Sequence, residues 1–459
     1  MLLASSMSGA DFYVSPSGSP FADGSKQAAW DLRSAMSHRA EIQPGDTIWL
    51  LAGTYSLSET LVSSLVGDPD APIVVRAYPN QRARLDCVPT AGPACFEIGG
   101  AHTWYWGFEI FNSSNVREVT AGGSAADPRG VGIHSRAGLG TRLINLVVHD
   151  VGTALFESQR SGIEIYGLIA YNNGWDGPGR SHGPGIYIRN RTDYPAKLIE
   201  DSIVFQNFRQ GLQGFGSTPN VFSHFLVAGS VFFNNGIGRD GFHRNLMFGN
   251  ASADHVGNVF RHNLTYFSPG LGAGSNMLGS PVGGCRELTV EGNVFAHGPS
   301  RTALEINGCE AASVVGNFFY GQVQGVARTS DNLFVSGDEW PTGVQVFVRP
   351  NRYEPERAQL AVLNWDQQDL VAVNLSSLKI QPGSKLTIRS VQDLFGASQS
   401  MTYSAGLVAI PMTGWSAAKP IGLETKPLPP TLPELGVFIL TWKSVRPAPA
   451  RSRSVRWRP

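Results

Sequence analysis

The chain has 459 residues, no formal net charge and only 16% charged residues, so it presents no basic surface of the kind that binds nucleic acid. No stretch approaches the roughly 18 apolar residues that a membrane span needs. Fifty-three glycines and 29 prolines fit an all-β chain with many turns.

In chain order, residues 1–10 hold Leu2-Leu3-Ala4 without the basic region or the apolar length of a secretory signal, which leaves room only for the stub of one. Phe12-Tyr13-Val14 then reads as a strand running into a Ser/Pro/Gly turn. Ala28 to Met36 places Trp30, Leu32 and Ala35 on one side of a short amphipathic helix. Such a helix covers the raw apolar end of a solenoid. Pro44-Gly45-Asp46 turns into a strand at 47–51, and 72–77 is the next. Residues 101–135, with Trp104-Tyr105-Trp106-Gly107-Phe108-Glu109-Ile110, begin the coils.

From 140 to 325 two strand patterns alternate. One is Gly-apolar-x-apolar-x, as in Gly162-Ile163-Glu164-Ile165-Tyr166, Gly185-Ile186-Tyr187-Ile188-Arg189 and Gly211-Leu212-Gln213-Gly214-Phe215. The other ends in Asn, as in Gly167-Leu168-Ile169-Ala170-Tyr171-Asn172-Asn173-Gly174. Its copies begin at 145, 167, 201, 229, 257, 292 and 316, with shortest steps of 22 and 24 residues. A repeat of this length marks a solenoid, and β-branched and aromatic units without a 3.6-residue stripe make its coils of strands. The expected fold is a right-handed parallel β-helix over 12–335 with an N-terminal helical cap. Asn172, Asn173, Asn207, Asn234, Asn235 and Asn263 are expected to stack at a corner as structural residues. His149, His262 and His297 near that corner are not expected to be ligands.

The four cysteines fall in pairs. Cys87 and Cys95 flank a Pro-Gly turn, and Cys285 and Cys309 lie one coil apart. Two disulfides suit an exported protein, four buried thiols a reducing compartment, and the sequence leaves both open. Beyond 335 the pattern changes. Short alternating strands separated by turn signals over 344–445 predict an antiparallel β-sandwich, and 446–459 reads as a disordered Pro/Arg/Ser tail.

The run YVSPSG…W…PGDTIWLLAGTY…PIVVRA over 12–77 resembles the N-terminal segment of pectate-lyase-like β-helix proteins, and 100–325 resembles their repeat. That resemblance implies carbohydrate-active chemistry, a lyase or glycosidase working on an extended polysaccharide or oligosaccharide in a groove along one parallel sheet. It also implies a secreted or periplasmic protein, expected as a monomer. The stretch VLNWDQQDLVAVNLSSLKIQPGSKLTIRSVQDLFG is similar to the trailing β-sandwich domains of many glycosidases, which implies an accessory role.

On the Gly-apolar-x-apolar-x strands the apolar positions point in, so Glu164, Tyr166, Tyr187, Arg189, Gln213 and Phe215 are expected to form one outward row, with Glu305 further along. The insertion 173–184 would overhang it with Trp175, Asp176, Arg180 and His182, Trp175 either stacking on a sugar or packing the loop. β-Elimination needs a cation to neutralise the uronate carboxylate and a base for the C5 proton. Arg189, Arg180 or Lys197 is the candidate cation, and His182 or Tyr187 the base or leaving-group acid. Hydrolysis instead needs two carboxylates about 5–9.5 Å apart. Glu164, Asp176, Glu157, Asp150 and Glu305 are the acids at hand, with Glu164 and Asp176 expected to meet.

The Asn-Thr-Asp, Asp-Asp and Gly-His-Gly set of polygalacturonase-type enzymes is absent. No cofactor is expected, and the calcium of pectate lyases finds no clear trio of acids on adjacent coils. Lys197 is the only lysine of the repeat region, which fits poorly with a lysine base. A lyase cleaving a uronate-containing glycan by β-elimination is the first expectation, with a glycosidase using paired carboxylates or a non-catalytic glycan-binding or surface protein as the alternatives.

Overall fold

The computed structural model describes residues 9–444 apart from 89–90, 121, 123–125, 158–161, 192, 217–222, 242, 250–254, 270, 273, 281, 283, 336–338, 424–427 and 429–430. The expectation of a disordered tail and that of a leader stub before residue 9 lie outside the described residues.

The first unit is a parallel β-helix whose coils each deliver one strand to three sheets. Sheet 1 has 11 strands, from Asp11–Val14 to Ala312–Val315; sheet 2 has 11, from Gly53–Ser56 to Leu333–Val335; sheet 3 has 10, from Glu59–Ser63 to Gln322–Gln324. Neighbouring strands in these sheets are parallel, with register shifts in sheet 3 at Glu59/Leu61, Arg244/Leu246 and Thr302/Leu304, and Ile133, Leu155, Ile186, Leu212 and Leu246 pair in one row from coil to coil. That row points inward and is at most 1% exposed. Fully burying each such side chain is worth about 1.5–3 kcal/mol.

The cap helix is shorter than expected, Leu32–Met36. Asp31 ends it at the N-terminal side by accepting from the Ser34 N–H at 3.0 Å. Trp30 therefore precedes the helix, buried and stacked on Phe12 at 4.6 Å. Both cysteine pairs, Cys87–Cys95 and Cys285–Cys309, are disulfide-bonded.

The asparagines form two stacks rather than one. Asn173, Asn207, Asn235 and Asn245 pass side-chain hydrogen bonds of 2.8–2.9 Å along the corner after sheet 2. Asn263, Asn293, Asn317 and Asn332 do so at 2.9–3.0 Å on the corner before it. Asn172 and Asn234 serve differently, taking the left-handed backbone at φ 55° and 50°.

The second unit comprises 342–418 and the chain from 430 onward, while 419–429 groups with the β-helix unit. It holds a five-stranded antiparallel sheet and the antiparallel pair Leu370–Asn374 with Leu407–Pro411. Leu360, Val373, Ile388, Ile410 and Phe438 share its core. No helix among the described residues is long and apolar enough to cross a membrane.

Candidate active site

On sheet 3 the outward row is Glu97, His134, Phe156, Tyr187, Gln213, Met247, Met277 and Glu305, one residue per coil. Tyr187 stands out because its neighbours Ile186 and Ile188 are both wholly buried. Over this row folds an antiparallel hairpin, Trp175–Gly177 with Arg180–His182, which pairs Trp175 with His182. Their rings stack at 4.1 Å with a 10° tilt. Between hairpin and sheet lies a cleft of about 690 Å³, lined among others by Asp127, Phe156, Trp175, Arg180, His182, Tyr187, Arg209, Gln213, Phe215 and Met247.

The cleft is cationic. Arg180 is exposed at its rim, and Arg209 pairs with Asp240 at 2.5 Å. Arg189 stands beside it, over the rings of Phe156 and Tyr187 at 5.6 and 4.9 Å, and donates to the Tyr187 hydroxyl at 2.7 Å. That hydroxyl donates in turn to the Phe215 carbonyl at 3.3 Å. Burial, then the charges of Arg180 and Arg209, hold His182 below the ordinary imidazole value, so the ring is neutral at pH 7. Among the described residues its ring nitrogens have no hydrogen-bond partner, and the ring is half-exposed. Asp127 is the lining carboxylate. Its Oδ1 accepts from the N–H groups of Arg129 and Gly130 at 2.9 and 3.1 Å, and burial raises its pKa.

The expected row is thus divided. Tyr187, Gln213 and Phe215, with His182, Arg180 and Trp175 above them, come together, and Arg189 adjoins them. Glu164 and Tyr166 do not, because 164–166 is a strand of sheet 1. There Glu164 pairs with Arg142 at 3.0 Å and Tyr166 is 1% exposed. The Gly-apolar-x-apolar-x pattern reports only that a strand faces the coil interior, and all three sheets satisfy it. Glu305 keeps its place on the outward row but pairs with Arg244 at 2.8 Å, three coils beyond Gln213 and outside the cleft lining.

Asp176 is not part of the cleft lining. Buried, it accepts from the Ser181 hydroxyl and from the Arg239 N–H at 3.0 Å, which closes the hairpin. Glu164 and Asp176 therefore have separate partners and form no carboxylate pair. Trp175 is 2% exposed, so the loop-packing role outweighs a free sugar-stacking face. Lys197 and Glu157 are ion-paired inside the coil with no exposure, since Glu157 follows outward Phe156 by one residue. Burial drives both toward neutrality, Glu157 up to about 8 and Lys197 down. Neither can touch a polymer. Asp150 is buried against Arg117 and His149.

The sequence reading missed Asp127, Phe156, Arg209 and Met247. Phe156 lay within reach of it, since Thr153–Glu157 is the coil strand just before Tyr187, but there Ala154 stands in the place of Gly185 and the charged Glu157 in that of Ile188. Asp127 and Arg209 are on turns, where register gives no guide. Among the described residues no three His, Cys, Asp or Glu side chains gather to hold a metal ion, and the single carboxylate of the cleft lining, Asp127, is a poor fit to the several oxygen ligands of calcium.

A family model described as "Pel9A-like, right handed beta helix region" matches residues 12–252. The chain belongs to this family. Among solved structures it is similar to a rhamnogalacturonan lyase, with 16% identity, a TM-score of 0.51, and 67% of this chain and 87% of that one covered. It is also similar to pectate lyase Pel9A, with 19% identity, a TM-score of 0.46, and coverage of 66% and 79%. A third similar structure is the complex of XylC with xylose, at 11% identity and a TM-score of 0.46, covering 87% of this chain and 99% of that one. A search of curated protein sequences finds no match. At 16% identity the likeness to the rhamnogalacturonan lyase shows the fold alone.

Proposed function

We propose that the sheet 3 cleft binds an acidic polysaccharide and cleaves it by β-elimination. The observation that carries this reading is the neutral imidazole of His182, without a hydrogen-bond partner among the described residues, held in an arginine-rimmed cleft with Tyr187. Arg180 and Arg189 neutralise the uronate carboxylate, which acidifies the C5 proton. His182 takes that proton, the C–H electron pair becomes the C4–C5 double bond, and the C4–O bond breaks toward the leaving sugar. Tyr187 protonates the departing oxygen. Hydrolysis is the poorer fit because the cleft lining contributes one carboxylate, Asp127, where two are needed. The rhamnogalacturonan lyase is named for a lyase reaction, but its 16% identity leaves the argument to the residues.

The test is incubation with polygalacturonate, rhamnogalacturonan and alginate. A lyase releases unsaturated products absorbing near about 235 nm. Reducing ends appearing without that absorbance would make the protein a hydrolase. Retained binding with no cleavage of any polymer would leave it a glycan-binding protein.

A further inference from the structure

Residues 419–429 group with the β-helix although the chain on either side of them belongs to the second unit. Ile421 is the fixed point. Its N–H donates to Asp150 Oδ1 at 2.8 Å, and its carbonyl accepts from Arg117 Nε at 2.7 Å. Gly422, at φ +80°, lies directly on the 112–119 loop, where a Cβ would come within 2.2 Å of the Asn115 carbonyl oxygen. Leu423 and Leu428 pack with Phe208 and Ile237.

Arg117 joins this segment to the cleft. It is 2% exposed, and each guanidinium nitrogen is engaged. Nη2 pairs with Asp150, while Nη1 donates to the carbonyls of Asn172 and Gly174 at 2.8 and 2.7 Å. Those carbonyls are the root of the hairpin that carries Trp175, Arg180 and His182. The loop's own backbone continues the link, since Asp176 N–H donates to the Arg117 carbonyl at 2.8 Å and Val119 N–H to the Asp176 carbonyl at 3.0 Å. A buried guanidinium is tolerated only while its donors are met. Loss of the Ile421 carbonyl leaves Nε unmet, and a shift of Arg117 toward water draws on Asn172 and Gly174.

We infer that residues 419–423 act as a positioning strap for the cleft, fixing through Arg117 how the 175–182 hairpin sits over sheet 3. Its bearing on catalysis rests on the lyase reading, whereas the mechanical link does not. Ile421 and Gly422 are positioning residues that touch no substrate.

Full-length Gly422→Ala and Ile421→Pro test it by amide hydrogen exchange and by NMR titration of the His182 ring. Exchange over 174–183 is expected to speed up about tenfold or more in both, with 288–296 unchanged. The His182 titration should move up toward the ordinary imidazole value as the roof over it loosens. Wild-type exchange over 174–183 in Gly422→Ala overturns the inference. So does acceleration that reaches 288–296 equally, or failure of either variant to fold, because each means general destabilisation. Neither readout needs turnover, so a chain that cleaves no glycan yet shows both shifts loses the lyase reading and keeps the strap.

Discussion

His149 and His182 both lie flat against an aromatic ring, Tyr171 at 4.8 Å and 8° for one and Trp175 at 4.1 Å and 10° for the other. Everything else about them differs. His149 is 7% exposed in a file of rings on sheet 2, with Asp150 2.7 Å from Nδ1 and Glu109 3.0 Å from Nε2. Burial opposes its charge, but the two carboxylates outweigh burial and raise its pKa. His182 has arginines for neighbours and a pKa pushed the other way. Stacking says nothing about the role of a histidine; the partners of its nitrogens do. One ring has both nitrogens committed to holding the fold, and the other, without a hydrogen-bond partner among the described residues, keeps the one lone pair of its neutral form free to take a proton.

Four substitutions and two pH series break or sharpen that contrast. His182→Ala should lower kcat/KM on a uronate polymer by about 10²–10⁴-fold with the melting temperature kept. In the wild type the acid limb of the rate profile should fall below pH 6.5, since the lowered pKa keeps the base free there. Arg189→Ala removes the donor to Tyr187 and should cost about 10²-fold in turnover, and an unchanged rate would take Arg189 out of the site. His149→Ala should do the reverse. It leaves Asp150 and Glu109 short of a partner and costs about 3 kcal/mol in urea unfolding, with cleavage by the folded fraction intact.

Because the folded pKa of His149 is raised, its stabilising contribution is complete below about 6.5 and fades as pH climbs through the folded value. Urea midpoints measured from pH 5 to 9 should show that loss in the wild type and not in His149→Ala. Smallest of all, Glu164→Gln should move stability by less than about 1 kcal/mol and leave cleavage untouched, since its partner Arg142 keeps access to water. A large activity loss there would restore the sheet 1 row to the chemistry.

The fold was legible because a solenoid writes each structural rule many times. Glycine-led strands and asparagine corners recur at coil spacing, and any one copy read badly is corrected by the next. The site was legible only where it shares that redundancy. Tyr187 and Gln213 follow from inward Ile186, Ile188 and Leu212, and His182 from the one long insertion beside them. Glu164 and Tyr166 were misplaced because the period tells inside from outside but not which of three sheets a strand joins. Asp127, Arg209 and the Ile421 contact sit on turns or on a distant segment, where position depends on tertiary packing that leaves no periodic trace.

The Cys285–Cys309 bond joins adjacent turns near the far end of the spiral. In a stack where each layer leans mainly on its neighbours, fraying starts at an open end and travels inward one layer at a time. A covalent rivet makes two of those layers melt as one, so the last turns should resist peeling until reductant is added, and then yield to protease before anything nearer the cleft does.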